Sequence, residues 1–203
     1  VVPEVVIFAV KPQALGEMIQ GYRGLVGPAT VFLAIAAGKR ISFFEEGLGE
    51  HAAVVRAMPN TPAAIGRGIT VACANSHVSA PQKATCQALL EAVGEVDWVD
   101  DEGLMDPVTA VSGSGPAYVF LMIECLAAAG VAAGLDGALA ARLARATVSG
   151  SGELARQADQ VPAELRKNVT SPGGTTEAAL GVLMGVNGLQ SLMTKAVEAA
   201  TAR

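Results

Sequence analysis

Apolar positions follow two different patterns along this chain, and the change between them is the first clue to its organisation. Up to about residue 100 they gather in short, nearly continuous runs at 5–10, 30–35, 52–58 and 69–72. A run of four to eight apolar residues closed by Lys-Pro, Ala-Gly or Pro-Asn reads as a strand buried on both faces, the habit of parallel sheets. Helical patterns lie between the runs, the clearest being the amphipathic stretch 81–93, and residues 96–99 read as an edge strand. Such alternation predicts a doubly wound α/β sheet.

Beyond Asp101 the strand runs stop and the chain turns Ala-rich and helical. Pro116 opens a helix through Ala129 that is apolar almost all round, which requires burial on every side, in a core or an oligomer interface. Asp136 is placed to cap a long helix running to about Ala158. That helix carries Ser149-Gly150-Ser151-Gly152. A helical glycine costs roughly 1 kcal/mol relative to alanine, and close helix contact is the natural compensation. Pro162 starts a short helix, and residues 178–203 supply one or two more. The expected organisation is an α/β domain over 1–101 and an all-helical domain over 102–203.

Composition narrows the function classes. With 51% hydrophobic residues but only 4% aromatic, a sizeable core must be packed from Ala, Val and Leu. A net charge of −5 with no basic run argues against nucleic acid. Cys73, Cys86 and Cys125 are odd in number and unpaired in spacing, so they form neither a disulfide framework nor a zinc motif. A reduced, cytoplasmic compartment is expected, and no secretory signal is seen. His51 and His77 stand at no metal spacing and read as surface or loop histidines, so no metal is expected. The greasiest stretch, 107–123, contains Ser-Gly-Ser-Gly-Pro and is shorter than the about 20 residues of a membrane span. It reads as a buried helix with a turn before it, and no membrane association is expected.

The segment Asn168-Val169-Thr170-Ser171-Pro172-Gly173-Gly174-Thr175-Thr176-Glu177 carries the strongest chemical signal. Proline and two glycines make a tight turn into an apolar helix. Hydroxyls flank a helix N-terminus, a ready site for a small carboxylate or phosphate. The competing reading is ordinary capping by Thr175 or Thr176. Lys11 closes the first apolar run at the sheet edge where open α/β folds bind ligands, or is simply solvated. Asn60, between two prolines, either presents an amide or makes a turn.

Four further stretches accompany that turn in order: Ala9-Val10-Lys11-Pro12, Ile35-Ala36-Ala37-Gly38, Arg56-Ala57-Met58-Pro59-Asn60-Thr61-Pro62 and Val111-Ser112-Gly113-Ser114-Gly115-Pro116-Ala117-Tyr118. Together the five motifs resemble the Δ1-pyrroline-5-carboxylate reductase family over nearly the whole chain. The resemblance implies a partial Rossmann-like sheet followed by an all-helical dimerisation domain like the C-terminal domain of 6-phosphogluconate dehydrogenase. It implies reduction of pyrroline-5-carboxylate to proline by NADPH or NADH, in a homo-oligomer whose basic unit is a dimer.

By the same resemblance Ala9, Val10, Lys11 and Pro12 form a loop beside the cofactor. Ile35, Ala36 and Ala37 let the nicotinamide approach the backbone, and Asn60 faces the same cofactor. Asn168 reaches the cofactor of a neighbouring subunit or, alternatively, ends its helix. Glu102 lies at the substrate pocket near the ring nitrogen, and Ser114 with its flanking glycines forms a tight turn beneath it. Ser171, Gly173, Gly174, Thr175 and Thr176 hold the substrate, the amides of the last three binding its carboxylate, and the Thr176 hydroxyl donates or relays the proton. The Gly-x-Gly-x-x-Gly dinucleotide fingerprint is absent. A partial chain lacking roughly two strands and two helices is therefore expected, on βαβ dimensions, with weak dinucleotide affinity. Two alternatives remain: a β-hydroxyacid-type dehydrogenase, for which the helical domain offers only Lys167 and Lys195, and a non-catalytic helical dimerisation module.

Overall fold

The computed structural model describes residues 2–203. Five strands form one sheet in chain order: β1 (Val5–Phe8), β2 (Val31–Ala34), β3 (Ala53–Met58), β4 (Gly68–Ala74) and β5 (Gly94–Trp98). β1–β2, β2–β3 and β4–β5 are parallel, whereas β4 runs antiparallel to β3 with Met58 opposite Val71. The reversal follows from the connection. A parallel return needs a crossover of a dozen or more residues, and here only a 3-10 turn over Thr61–Ile65 intervenes. The sheet is therefore mixed, where the apolar runs predict parallel strands throughout. β2 is buried along its length, but β1 is a sheet edge among the described residues, with Phe8 its one buried residue and Ile7 half exposed. The expectation of a fully buried first strand is corrected accordingly.

Side chains alternate across the sheet and build two cores. Phe8, Phe32, Ala34, Val54 and Cys73 face α1 (Pro12–Met18) and α2 (Ile41–Leu48), which contribute Leu15, Phe44 and Leu48. On the other face Val31, Leu33, Val55 and Ala72 meet Cys86 and Leu90 of α3 (Ala80–Glu91). A capping box starts α3: the Ser79 N–H donates to Gln82 Oε1 at 2.9 Å while Ser79 Oγ accepts the Gln82 N–H.

Burial pushes the Cys86 thiol up to about 11. In the unfolded chain a thiol ionises near about 8.5. The fold therefore favours the neutral thiol, and stability is lost as pH rises from about 8.5 towards 11. Cys86→Ala should flatten that alkaline fall in unfolding free energy, measured by urea denaturation; an unchanged slope would contradict the assignment.

After β5 the chain makes a 3-10 turn over Glu102–Leu104, α4 (Met105–Val108), a π-helical turn over Thr109–Gly113 and α5 (Gly115–Ala132). The tight turn expected at Ser114 is thus a wide helical one, closed by the Ser114 N–H donating to the Thr109 carbonyl at 2.8 Å. Gly113 serves close approach instead of chain reversal: a Cβ there would lie 2.6 Å from Met58 Cε.

The chain divides into two compact units, one running up to Pro116 together with Ala200–Arg203 and the other Ala117–Ala199. Residues 102–113 belong to the first, where Met105 joins the core and Val108 packs against it. The second unit holds most of α5, then α6 (Gly137–Gln157), α7 (Pro162–Asn168), α8 (Thr175–Leu183) and most of α9 (Leu189–Thr201). Asp136 caps α6 as the sequence predicts, accepting the Leu139 N–H at 3.1 Å.

This helical unit has almost no core of its own. Among its described residues only Ala140 and Ala144 are buried hydrophobics, and α5 buries none, with Phe120 58% and Leu121 57% exposed. The expected all-round burial of α5 is therefore not met within one chain. Length and composition alone would let Glu102–Ala132 cross a membrane. Its first residues are instead tied by ion pairs to the sheet unit.

Candidate functional site

Parallel pairing brings the C-terminal ends of β1, β2 and β3 to one edge of the sheet, the edge where open α/β folds take ligands. The stretches leaving it are Ala9–Pro12, Ile35–Gly38 and Pro59–Asn60. Ala9, Val10 and Lys11 are exposed there, and Lys11 and Pro12 start α1. The Ile35 N–H donates to the Phe8 carbonyl at 3.2 Å, which joins the first two stretches. Of the Ile35-Ala36-Ala37 run, Ala36 is buried and Ala37 exposed, so Ala37 is the residue whose backbone a flat ring can approach. Ala9, Val10, Lys11, Ala37 and Gly38 are therefore the exposed residues of this edge.

Asn60 is less of a presented amide than expected. Its Oδ1 accepts the Ile69 N–H at 3.0 Å and its Nδ2 donates to the Ser112 carbonyl at 3.2 Å. One Nδ2 hydrogen is left for a ligand, because a side-chain amide carries two donors. Glu102, expected at the substrate pocket, has one oxygen engaged within the sheet unit. Its Oε1 accepts both the Arg56 Nη1–H at 2.9 Å and the Ile41 N–H at 2.8 Å. The sequence assigns no role to Arg56, which supplies the charge partner of Glu102. The available signal was a lone cation inside an otherwise apolar strand, and the structure buries it at 5% exposure. His51 and His77 come together edge to face, 5.6 Å between ring centroids, and among the described residues no cluster fit for a metal occurs.

In the helical unit α7 ends at Asn168, whose Nδ2 donates to Gln160 Oε1 at 3.2 Å. Ser171 to Gly174 form a turn closed by the Gly174 N–H on the Ser171 carbonyl at 3.0 Å. Gly173 sits at φ 71°, the left-handed region where glycine pays no Cβ penalty. Gly174 is the N-cap of α8 and no side chain caps that helix. Capping by Thr175 or Thr176 is therefore excluded as the reason for their hydroxyls. The three expected carboxylate donors need one correction, since the Gly174 amide is spent inside the turn. Thr175 and Thr176 are the first two helical residues, and their N–H groups have no carbonyl four residues back within the helix. The turn already seats a carboxylate: Glu177 Oε2 accepts the Gly173 N–H at 2.7 Å.

Residues 102–203 match the family described as pyrroline-5-carboxylate reductase dimerisation. A pyrroline-5-carboxylate reductase of Synechocystis sp. is 46% identical over 202 residues, covering 100% of this chain and 74% of that protein. Among solved structures, a pyrroline-5-carboxylate reductase from Coxiella burnetii superposes with a TM-score of 0.93 at 38% identity, covering 98% of this chain and 74% of that one. The Plasmodium falciparum pyrroline carboxylate reductase with NADP bound superposes at 0.83 and 34% identity, covering 98% and 75%. With whole-chain identity at this level, the protein belongs to the pyrroline-5-carboxylate reductase family.

Proposed function

We propose that the protein reduces Δ1-pyrroline-5-carboxylate to L-proline with NADPH or NADH, the last step of proline biosynthesis, as a cytoplasmic homodimer or larger homo-oligomer. Family membership supports the reaction. The observation that carries the site is the Ser171–Thr176 turn: two helix-start N–H groups, two hydroxyls not used for capping and a neighbouring amide that already holds a carboxylate.

When bound, the reduced nicotinamide supplies a hydride to the C=N carbon. The N–H groups of Thr175 and Thr176, aided by the positive end of α8, hold the substrate carboxylate without an arginine. Ser171 and Gly173 shape that turn. The Thr176 hydroxyl donates or relays one proton to the ring nitrogen, so that hydride and proton together turn C=N into CH–NH. Ala37, between the buried Ala36 and Gly38, leaves the ring face open, with Ile35 anchoring the stretch. Ala9, Val10, Lys11 and Pro12 line the dinucleotide, and Asn60 offers its remaining amide hydrogen. Asn168 reaches the cofactor of a neighbouring subunit. Such a reaction needs positioned groups and no side-chain nucleophile.

Steady-state consumption of NADPH on adding pyrroline-5-carboxylate, with proline measured by chromatography, tests this reading. One proline per NADPH consumed is expected; cofactor turnover without proline would refute it.

A further inference from the structure

Arg56 lies in β3, opposite Cys73 of β4, at 5% exposure. Its guanidinium meets Glu102 at 2.9 Å and Asp106 at 3.7 Å, and Asp106 in turn lies 3.9 Å from the exposed Arg40. The Glu102 oxygen that takes Arg56 also accepts the N–H of Ile41, the first residue of α2. That helix has no side-chain cap from its own N-cap residue, Arg40. A carboxylate 61 residues further along the chain supplies the cap instead, with its charge balanced from inside the sheet by Arg56.

The clamp has a clear neighbour in sequence. Residues 35–40 run from the end of β2 to the clamped helix start. One end of this stretch is held by the Ile35–Phe8 backbone bond, the other by Glu102 on Ile41. A buried ion pair is poor value as pure stability, because apolar residues of similar volume often serve as well or better. Its advantage here is directional: it fixes where a backbone segment sits.

We propose that Arg56 and Glu102 are positioning residues for hydride transfer, holding the Ala37 backbone at the depth the nicotinamide ring requires. The inference rests on the reductase reading above. Hydride transfer is steeply sensitive to placement, and a shift of about 1 Å costs on the order of a hundredfold in rate. Neither residue touches the reacting atoms in this role, and Glu102 acts through Ile41 instead of through the substrate.

The test compares wild type with Arg56→Met, Arg56→Lys, Glu102→Gln and the double variant Arg56→Met/Glu102→Met in the active enzyme. Measured quantities are kcat, KM for each substrate, Tm and the primary isotope effect with deuterated NADPH. Arg56→Met and Glu102→Gln should lower kcat roughly tenfold or more and raise KM for NADPH, while KM for pyrroline-5-carboxylate stays within about twofold. Arg56→Lys should recover part of kcat, and the double variant should be no worse than the poorer single one. Glu102→Gln keeps the volume but replaces the charged oxygen shared by Ile41 and Arg56 with a neutral amide that no longer balances the guanidinium, so it reports even if Arg56→Met fails to fold. A fall in Tm with kcat and isotope effect unchanged would overturn the proposal, leaving the pair merely structural. A rise in KM for pyrroline-5-carboxylate alone would also overturn it and make Glu102 a direct substrate contact. Wild type inactive on pyrroline-5-carboxylate would sink the reductase reading itself, whereas active wild type with unaltered variants would sink only the positioning role.

Discussion

Gly150→Arg yields aggregated or unfolded protein in place of a folded dimer. Within its own chain the position has room for a side chain to start: a Cβ at Gly150 meets nothing within 4 Å. Intrinsic helix propensity even favours it, by somewhat under about 1 kcal/mol, because arginine is a far better helix former than glycine. The damage must come from outside the chain. The helical unit buries only Ala140 and Ala144 among its described hydrophobics, while Val119, Phe120, Leu121, Leu126 and Leu143 stay exposed. A groove of about 290 Å³ lined by Leu126, Gly130, Leu135 and Leu143 is likewise open. Such a unit cannot offset the entropy of ordering its helices alone. A second copy laid against it should supply the missing core, through an interface expected to exceed the ~1,600 Å² of a standard complex. Small residues at 149–152 let the helices approach, and an arginine there separates them. Sedimentation of wild type at low micromolar concentration should give a dimer or larger. A folded, soluble monomer of either protein would remove the shared core from this explanation.

Thr176→Ala lowers kcat by roughly one to two orders of magnitude, the scale of a lost proton donor. The structure makes this substitution unusually clean. Since Gly174 caps α8 and no side chain does, removing the hydroxyl takes no cap away. The Thr176 N–H at the helix start is kept. Dinucleotide affinity should change by less than about twofold, because the loss concerns the proton and not the cofactor. Steady-state kinetics with titration of NADPH would separate the two effects. Turnover equal to wild type would remove Thr176 from the proton path.

Much of this was legible in the sequence, for reasons that differ by element. The strands announced themselves because a strand buried on both faces must be apolar at every position, as β2 is. Asp136 was legible because its side chain bonds to a residue three positions away. What depends on distant partners was not. Nothing near residues 59–67 states that β4 reverses, except the shortness of the connection. Ser112-Gly113-Ser114 has turn composition, yet its glycine answers to Met58, far away in the chain. The partners of Glu102 were not legible, because Arg56 and Ile41 come to it only in the fold. The apolar helix α5 was read as buried on every side, yet within one chain it buries no residue, because any cover for it lies outside that chain.

The reductase reading is tested most directly by following the hydride itself. The enzyme is supplied with NADPH carrying deuterium at the transferable position of the nicotinamide, together with pyrroline-5-carboxylate, and the product is analysed by mass spectrometry. One deuterium bound to the δ carbon of L-proline, formed in step with cofactor oxidation, is the expected result. Unlabelled proline, or labelled cofactor consumed with no proline formed, would contradict it.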